Sequence, residues 1–322
     1  MANFAPVTPQ VTSVPGPGGN SGTAATFIPQ IWSDEVIAEY EKSLVLANLV
    51  KKMSMKGKKG DVIHIPSPIR GNANVKATQA SVTLIAAIEN ELIINIDQHW
   101  EYSRMIEDIT EVQALASLRR FYTSDAGYAL ARQADSSLFT LGTQLGDGTG
   151  VSWVHSQSIM PTTPSAAGVG GSTAYTGAAV PAGAVFTDGT FRNALQILDD
   201  NDVPMTGRFF VIPPSLCNAI RGIERYNSTD FVTNKGTVSG KIGELYGVDI
   251  YTSTNVPEIS AANNVRGALL AHKDAYVMAE QVGVRSQTQY KQEYLSTLYT
   301  ADRLFGRACY RPESGVNIAV NN

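Results

Sequence analysis

The chain is short of charge. Only 17% of its 322 residues are Asp, Glu, Lys or Arg, against a usual share of about 25%. A lone subunit with so little charge would leave much uncharged surface in water, which hints that part of its surface meets other subunits. The 25 basic and 29 acidic residues leave a net charge of −4. No overall basic field therefore exists to hold a nucleic-acid backbone by counterion release, which disfavours a dedicated DNA or RNA binder. Cysteine is nearly absent as well. Cys217 and Cys309 cannot build a disulfide framework and match no zinc spacing, which points to a reducing compartment and a metal-free fold with both thiols buried as small hydrophobes. No apolar run approaches the roughly 18 residues of a membrane span. The start lacks the basic and apolar regions of a signal peptide, its first charged residue being Asp34, so the sequon Asn227-Ser228-Thr229 reads as accidental.

Catalytic patterns are missing too. His64, His99, His155 and His272 are scattered, and no two share the spacing that sets metal ligands on one helical face. Gly236-Thr237-Val238-Ser239-Gly240-Lys241 is one residue short of a phosphate loop and is followed by Ile242 where a magnesium-holding hydroxyl belongs. Gly168, Gly170 and Gly171 fail the dinucleotide spacing, and no serine sits in a nucleophile elbow. Asp199, Asp200 and Asp202 crowd the end of a helix, where the dipole disfavours anions. They read as a solvated turn before Pro204, with a soluble metal-dependent hydrolase as the rival. No enzyme and no cofactor are expected.

What is present is organised by shifts in composition and period. Residues 1–30 form a Gly-, Pro-, Ser- and Thr-rich arm that includes Pro15-Gly16-Pro17-Gly18-Gly19, unable to build helix or ladder. Residues 31–50 predict an N-terminal helix, capped by Ser33 and carrying Val36, Ile37, Tyr40, Leu44, Ala47 and Leu49 at helical spacing. Lys51, Lys52, Lys56, Lys58 and Lys59 then place five lysines in nine residues. The first two complement a helix C-terminus. The group reads as a solvated turn opening a hairpin, or as a contact for phosphates or an acidic partner.

Residues 51–102 predict an extended loop with flanking strands. Val62, His64 and Pro66 alternate against Ile63 and Ile65, and Leu92, Ile94 and Ile96 against Ile93, Asn95 and Asp97. Between them runs a polar excursion that includes Arg70 and Lys76. Two strands alone are marginal in water, so this arm needs something to lie upon.

From Arg104 to Leu141 there is no proline and helix formers dominate, which predicts a rod of about 55 Å. Its apolar positions Ile106, Ile109, Val112, Leu115, Leu118 and Phe121 step by three, so the stripe drifts around the axis. This favours a single spine helix, within a segment 103–146, over a coiled coil. Segment 147–187 contains 40 consecutive residues without Asp, Glu, Lys or Arg. Trp153, Ile159, Tyr175 and Phe186 are its isolated anchors, which predicts an insertion packed loosely on the body or against a neighbour. Segment 188–260 reads as a helix from Asp188, a strand Arg208 to Ile212, a helix opened by Pro213-Pro214, and a loop over Tyr226 to Gly240 that leads to apolar positions Ile242, Leu245, Val248 and Ile250. Segment 261–322 carries strands near Gly267 to Leu270, Ala275 to Met278, Gln287 to Tyr294 and Val316 to Val320. Helices alternate with strands without βαβ repeats, which is an α+β fold.

Several motifs now gain a common reading. Phe27-Ile28-Pro29-Gln30-Ile31-Trp32-Ser33-Asp34-Glu35, leading to Leu44-Val45-Leu46-Ala47-Asn48-Leu49-Val50, resembles the opening of tailed-bacteriophage major capsid proteins of the Hong Kong ninety-seven type, with a podovirus or cyanophage flavour. Lys58-Lys59-Gly60-Asp61-Val62-Ile63-His64-Ile65-Pro66 is similar too. So are Asn201-Asp202-Val203-Pro204, Gly207 to Pro214, and Gly243-Glu244-Leu245-Tyr246-Gly247-Val248-Asp249-Ile250-Tyr251-Thr252-Ser253.

The resemblance covers almost the whole chain. It implies an N-terminal arm, an extended loop overlapping a neighbour, a spine helix, an axial domain mainly over 188–260 and a peripheral domain. It further implies hexamers and pentamers forming an icosahedral shell around double-stranded DNA held without sequence specificity, in a virion assembled in the host bacterial cytoplasm and free of membrane. Its implied partners are a portal and a scaffolding protein. The latter is expected to be separate, because a short Gly/Pro arm stands where some relatives carry a helical scaffolding segment. Lys56, Lys58, Lys59, Arg70 and Lys76 are the candidate inter-subunit residues. Lys76 is available for a covalent cross-link, but no asparagine or carboxylate matches as its partner, so none is expected. The uncharged 147–187 segment is a candidate site for a decoration protein. An encapsulin-type nanocompartment shell remains the alternative of the same fold, and a Gly/Thr-rich adhesin is disfavoured by the missing export signal.

Overall fold

The computed structural model describes residues 45–57, 59–68, 73–79, 81–82, 84, 89–108, 118–164, 170–223 and 241–321. The expected arm 1–30 lies outside these residues, as does the expected N-terminal helix up to residue 44. Of that helix the last turn is described, α1 (Leu46–Leu49), which ends at the extended Val50.

Three sheets carry the described residues. In the largest, β5 (Ser158–Pro161), β6 (Ser172–Ala174), β7 (Arg208–Ile212), β8 (Lys241–Leu245), β9 (Val248–Thr252), β11 (Val265–His272) and β14 (Gly315–Asn321) are ordered β6-β5-β14-β11-β7-β9-β8. Strand β10 (Glu258–Ser260) pairs with β11 off that path. Its central strands are apolar on both faces: every residue of β7 is buried, as are Gly315–Val320 of β14. Strands that read as continuous apolar runs are those covered on both sides.

Two helices, α3 (Asp188–Asp200) and α4 (Pro214–Gly222), cover one face. There Phe210 and Ile212 pack with Phe191, Ala194, Leu198, Leu216 and Ile220. On the other face the alternate residues Phe209 and Val211 meet Leu46 of α1 and Ala134, Leu138 and Phe139 of a long helix, α2 (Leu118–Thr140). The strand's period of two thus sorts four neighbours into two cores. Each fully buried Phe or Leu in them contributes about 1.5–3 kcal/mol relative to exposure.

Local chemistry sets the ends of these elements. Thr187 and Thr190 form a reciprocal capping box at the start of α3, with Asp188 in its first turn, which satisfies otherwise orphaned N–H groups and complements the dipole. Pro214 opens α4, where its missing N–H costs nothing.

The second sheet is ordered β1-β12-β13-β4, from β1 (Lys51–Ser54), β4 (Gln98–Glu107), β12 (Tyr276–Lys291) and β13 (Ser296–Cys309). The third is the antiparallel pair β2 (Val62–Pro68) and β3 (Glu89–Asn95), in register from Val62↔Asn95 to Pro68↔Glu89.

Three expectations are corrected. Arg104 to Glu107 do not begin the spine helix; they end β4, paired with β13 from Tyr299↔Arg104 to Ser296↔Glu107. Ile106 is buried as a strand residue, so ladder pairing and burial override helical propensity there. The expected helical positions 109–117 lie outside the described residues, and α2 runs from Leu118 to within one residue of the predicted end. Lys51 and Lys52 do not complement a helix end; they stand in β1, parallel to Val277 and Met278. The uncharged segment is not a loosely packed insertion. It supplies β5, parallel to β14 at Asn317↔Ser158, and β6, and it buries Tyr175 and Val180 against Val265 and Ala319.

Candidate assembly surfaces

The extended arm is rooted on the four-stranded sheet. Ile94 is fully buried against Val277 and Ala279, with Met53, Ile63 and Ile65 packed around them. Gly306 makes this approach possible: a Cβ there would lie 2.4 Å from the carbonyl oxygen of Asn95. Ile96 N donates to the carbonyl of Asp61 at 2.8 Å, and Gln281 Nε2 to that of Gly60 at 2.8 Å. Beyond the root the arm presents His64 paired with Glu91 at 3.0 Å across the two strands. In the stretch between the strands Val75 is fully exposed and Val82 and Leu84 are 70% and 90% exposed. Apolar side chains this open on a two-stranded arm match a surface completed by another molecule.

Of the candidate interface residues, Lys56 and Lys59 stand at the root ahead of β2, and Lys76 stands in the stretch beyond it. Lys58 and Arg70 lie outside the described residues. Lys56 already has a partner in its own chain, with Nζ 3.6 Å from Glu280 Oε1, while Arg303 Nη2 lies 3.5 Å from Oε2 of the same carboxylate. Lys59 and Lys76 are exposed.

A second surface, which the sequence reading missed, is the outer half of the β12–β13 hairpin. Strand β1 covers only Val277 to Glu280 of β12. Beyond that point β12 has β13 on one side and no strand on the other among the described residues. The hairpin end exposes Tyr290, Tyr294 and Leu295. Arg285 stiffens it, donating through Nε and Nη2 to the two oxygens of Asp302 at 2.7 and 2.8 Å, with His99 Nε2 3.1 Å from the same group. The Arg285 hydrogen bonds hold the Asp302 carboxyl below the usual carboxylate range. No local signal in the sequence marks this hairpin end, because its exposure depends on where β1 stops along β12.

The acidic residues at the end of α3 are held in different ways. Asp199 Oδ1 accepts from Arg208 Nη2 at 2.7 Å, and the nearly buried Arg208 also donates to the carbonyls of Val203 and Pro204 at 2.5 and 3.0 Å. This arginine stitches the turn from α3 into β7 and neutralises the carboxylate, while Asp200 and Asp202 face solvent. Among the described residues no group of three or more His, Cys, Asp or Glu could hold a metal ion. The four histidines have separate partners, Glu91, Asp302, Asn317 and the Thr206 carbonyl. The stretch 236–240 and Gly168 lie outside the described residues. Both cysteines are free and buried, and burial pushes the Cys309 thiol up to about 12, so it stays an unreactive hydrophobe. No described helix is long and apolar enough to cross a membrane.

The family described as phage capsid protein matches residues 27–321. Among solved structures, the capsid of cyanophage Pam1 superposes with a TM-score of 0.71 at 11% identity, over 94% of this chain and 99% of that one. That of cyanophage P-SCSP1u gives 0.69 at 19% identity, over 99% and 100%. Mycobacterium phage Che8 gives 0.68 at 22% identity, over 91% and 97%. At these identities the likeness establishes the fold. The search of curated proteins returned no match.

Proposed function

Because the chain belongs to the phage capsid protein family, and is thus a structural component of the virion rather than an enzyme, we propose that its copies close into an icosahedral shell around double-stranded DNA. The units of that shell are hexamers and pentamers, held together by the extended arm reaching over the next subunit. The observation that carries this reading is the arm itself: a two-stranded sheet whose outer stretch exposes Val75, Val82 and Leu84. Many copies of a modest contact suffice, since closure of a symmetric assembly multiplies them. Solved structures described as the asymmetric unit of the bacteriophage PhiM1 mature capsid and as the capsid of a native GTA particle share the fold at TM-scores of 0.67 and 0.65.

In this reading the other partners are a separate scaffolding protein and a portal, and the DNA is enclosed without sequence recognition, in keeping with the net charge of −4. The exposed uncharged residues of 176–185 offer a place for a decoration protein. Deletion of residues 66–80 tests the central claim. The shortened subunit is expected to fold, with an unchanged thermal unfolding midpoint, yet to give no closed shells by negative-stain electron microscopy. Normal particles from that deletion would remove the arm from the assembly.

A further inference from the structure

The end of the long helix is joined to the eight-stranded sheet by a buried polar knot that the capsid role does not itself require. Past Thr140, α2 tightens into a single 3-10 turn, Leu141–Gln144. Within that turn the carbonyl of Gly142 accepts from Asn317 Nδ2 of β14 at 2.8 Å. The same Nδ2 lies 3.0 Å from His155 Nε2. Asn317 and His155 are 1% and 7% exposed. An amide nitrogen that donates to a carbonyl has its orientation fixed, so the network assigns His155 Nε2 as an acceptor and places the ring proton on Nδ1. Nδ1 is buried and meets no hydrogen-bond partner.

The surroundings leave the ring little freedom. A Cβ on Gly142 would come within 2.5 Å of Trp153 and 3.1 Å of the Asn317 amide. On the loop carrying His155, the carbonyl of Gln157 accepts from Asn317 N at 3.0 Å, and Gln157 Nε2 donates to the Glu313 carbonyl at 3.2 Å. Thus β14 and the 312–314 turn present neutral groups to this knot. The charged neighbour is Asp147, whose Oδ1 accepts from Ser156 N at 2.6 Å. Its charge and the Gly142 carbonyl both favour a protonated ring, but burial outweighs them and pushes the imidazole below its ordinary value.

We propose that His155 is an acid-sensitive joint between the long helix and the eight-stranded sheet: a second ring proton turns Nε2 from acceptor into donor, sets it against Asn317 Nδ2 and makes it compete for the Gly142 carbonyl. The proton comes from solvent and no covalent bond changes. Neutral, the ring accepts from β14 and the knot is closed. Charged, it puts two donors against one carbonyl in a dry site, and the 3-10 turn and the 153–158 loop separate from β14. The native ring holds its proton less tightly than the unfolded chain does, so the stabilisation is complete above about pH 6.5 and is lost progressively as pH falls from there toward the lower native value. His64, His99 and His272 lie 3.0, 3.1 and 3.5 Å from the carboxylates of Glu91, Asp302 and Asp274, outside the two stretches that meet at His155, so the place of the loosening is what identifies this ring.

Amide hydrogen exchange read by mass spectrometry on the full chain at pH 7.5 and 5.5, corrected for intrinsic exchange, tests this. Peptides from 141–158 and 315–321 are expected to lose protection by up to about tenfold per pH unit below 6.5. In His155→Gln, whose side-chain oxygen accepts from Asn317 without titrating, that loss is expected to vanish. Equal loss in both proteins, or a loss spread over the whole chain, overturns the proposal. Should the variant not fold, the wild type decides: unchanged protection in the two stretches between the two pH values is fatal, and a loss confined to them supports the joint.

Discussion

At the scale of single residues, Asp135 carries more of the fold than its chemistry suggests. It sits fully buried in α2, where Oδ1 accepts from Ala47 N of α1 at 2.9 Å and Oδ2 from Asn255 Nδ2 at 3.1 Å. A carboxylate from a different helix thus caps α1, whose own N-cap, Val45, has no side chain able to do so. Burial pushes the Asp135 carboxyl above the usual range, although those donors oppose the shift. Asp135→Ala is expected to leave two buried donors unpaired and to cost about 1–3 kcal/mol for each, read as a lower urea midpoint. Asp135→Asn keeps an acceptor for Ala47 and faces an amide that can turn, so a smaller loss is expected. The sign of its pH dependence follows from the raised value: the native state holds this proton more tightly than the unfolded chain. This residue's contribution therefore falls as pH rises through the unfolded value of about 3.9 and is flat above the native one. A urea midpoint series in the asparagine variant should lack that slope; an identical slope in both proteins would assign it elsewhere.

At the scale of elements, the lysine group shows how a surface patch and a structural part can coincide. Lys56 is tied to Glu280, which also meets Arg303, whereas Lys59 is free in solvent. Replacing Lys56, Lys58 and Lys59 by Glu is expected to impair assembly more than folding. An exposed pair such as Lys56–Glu280 contributes only about 0–1 kcal/mol, so the thermal midpoint should fall by a few degrees at most while the yield of closed particles collapses. Equal losses in both measurements would count against an interface role. The same element explains which parts of the fold could be read from sequence. Strands β2 and β3 were legible because one face is buried and the other wet, so Leu92, Ile94 and Ile96 alternate cleanly. Strand β13 was not, because Asp302, Arg303 and Arg307 interrupt it, and their partners come from β12, β4 and α2, distant in the chain. The start of the spine helix was misplaced for a related reason: Arg104 to Glu107 have no local signal for strand, and only β13 makes them one. Segment 147–187 misled through composition, since its small residues look like linker, yet its few apolar anchors are the ones the sheet buries. Of the candidate assembly surfaces, the arm was legible from period and polarity, while the β12–β13 hairpin end required knowing which strand edge was left uncovered.

At the scale of the whole molecule, the low charge noticed first now has a physical context. A single subunit exposes Val75, Val82 and Leu84 on one arm and Tyr294 and Leu295 at a hairpin end, and such groups are costly in water unless many copies cover one another. Their cover is the collective assembly of the proposed shell, so the state of the purified protein is expected to be concentration-dependent and cooperative. Purified alone, it should sediment as free subunits or as capsomer-sized rings. With the proposed scaffolding partner present, negative-stain images should show regular shells tens of nanometres across, on the order of the scale that repeated closed contacts generate. Raised salt should weaken assembly only in part, because Debye screening reduces contacts made by the lysines at the arm's root and leaves the apolar cover untouched. A 34.5 kDa monomer persisting in both preparations would leave the arm without an occupant and defeat the shell as this chain's working form. Shells that assembled readily but dissolved at modest salt would keep the shell and move its adhesion from the apolar arm to the lysines at the arm's root.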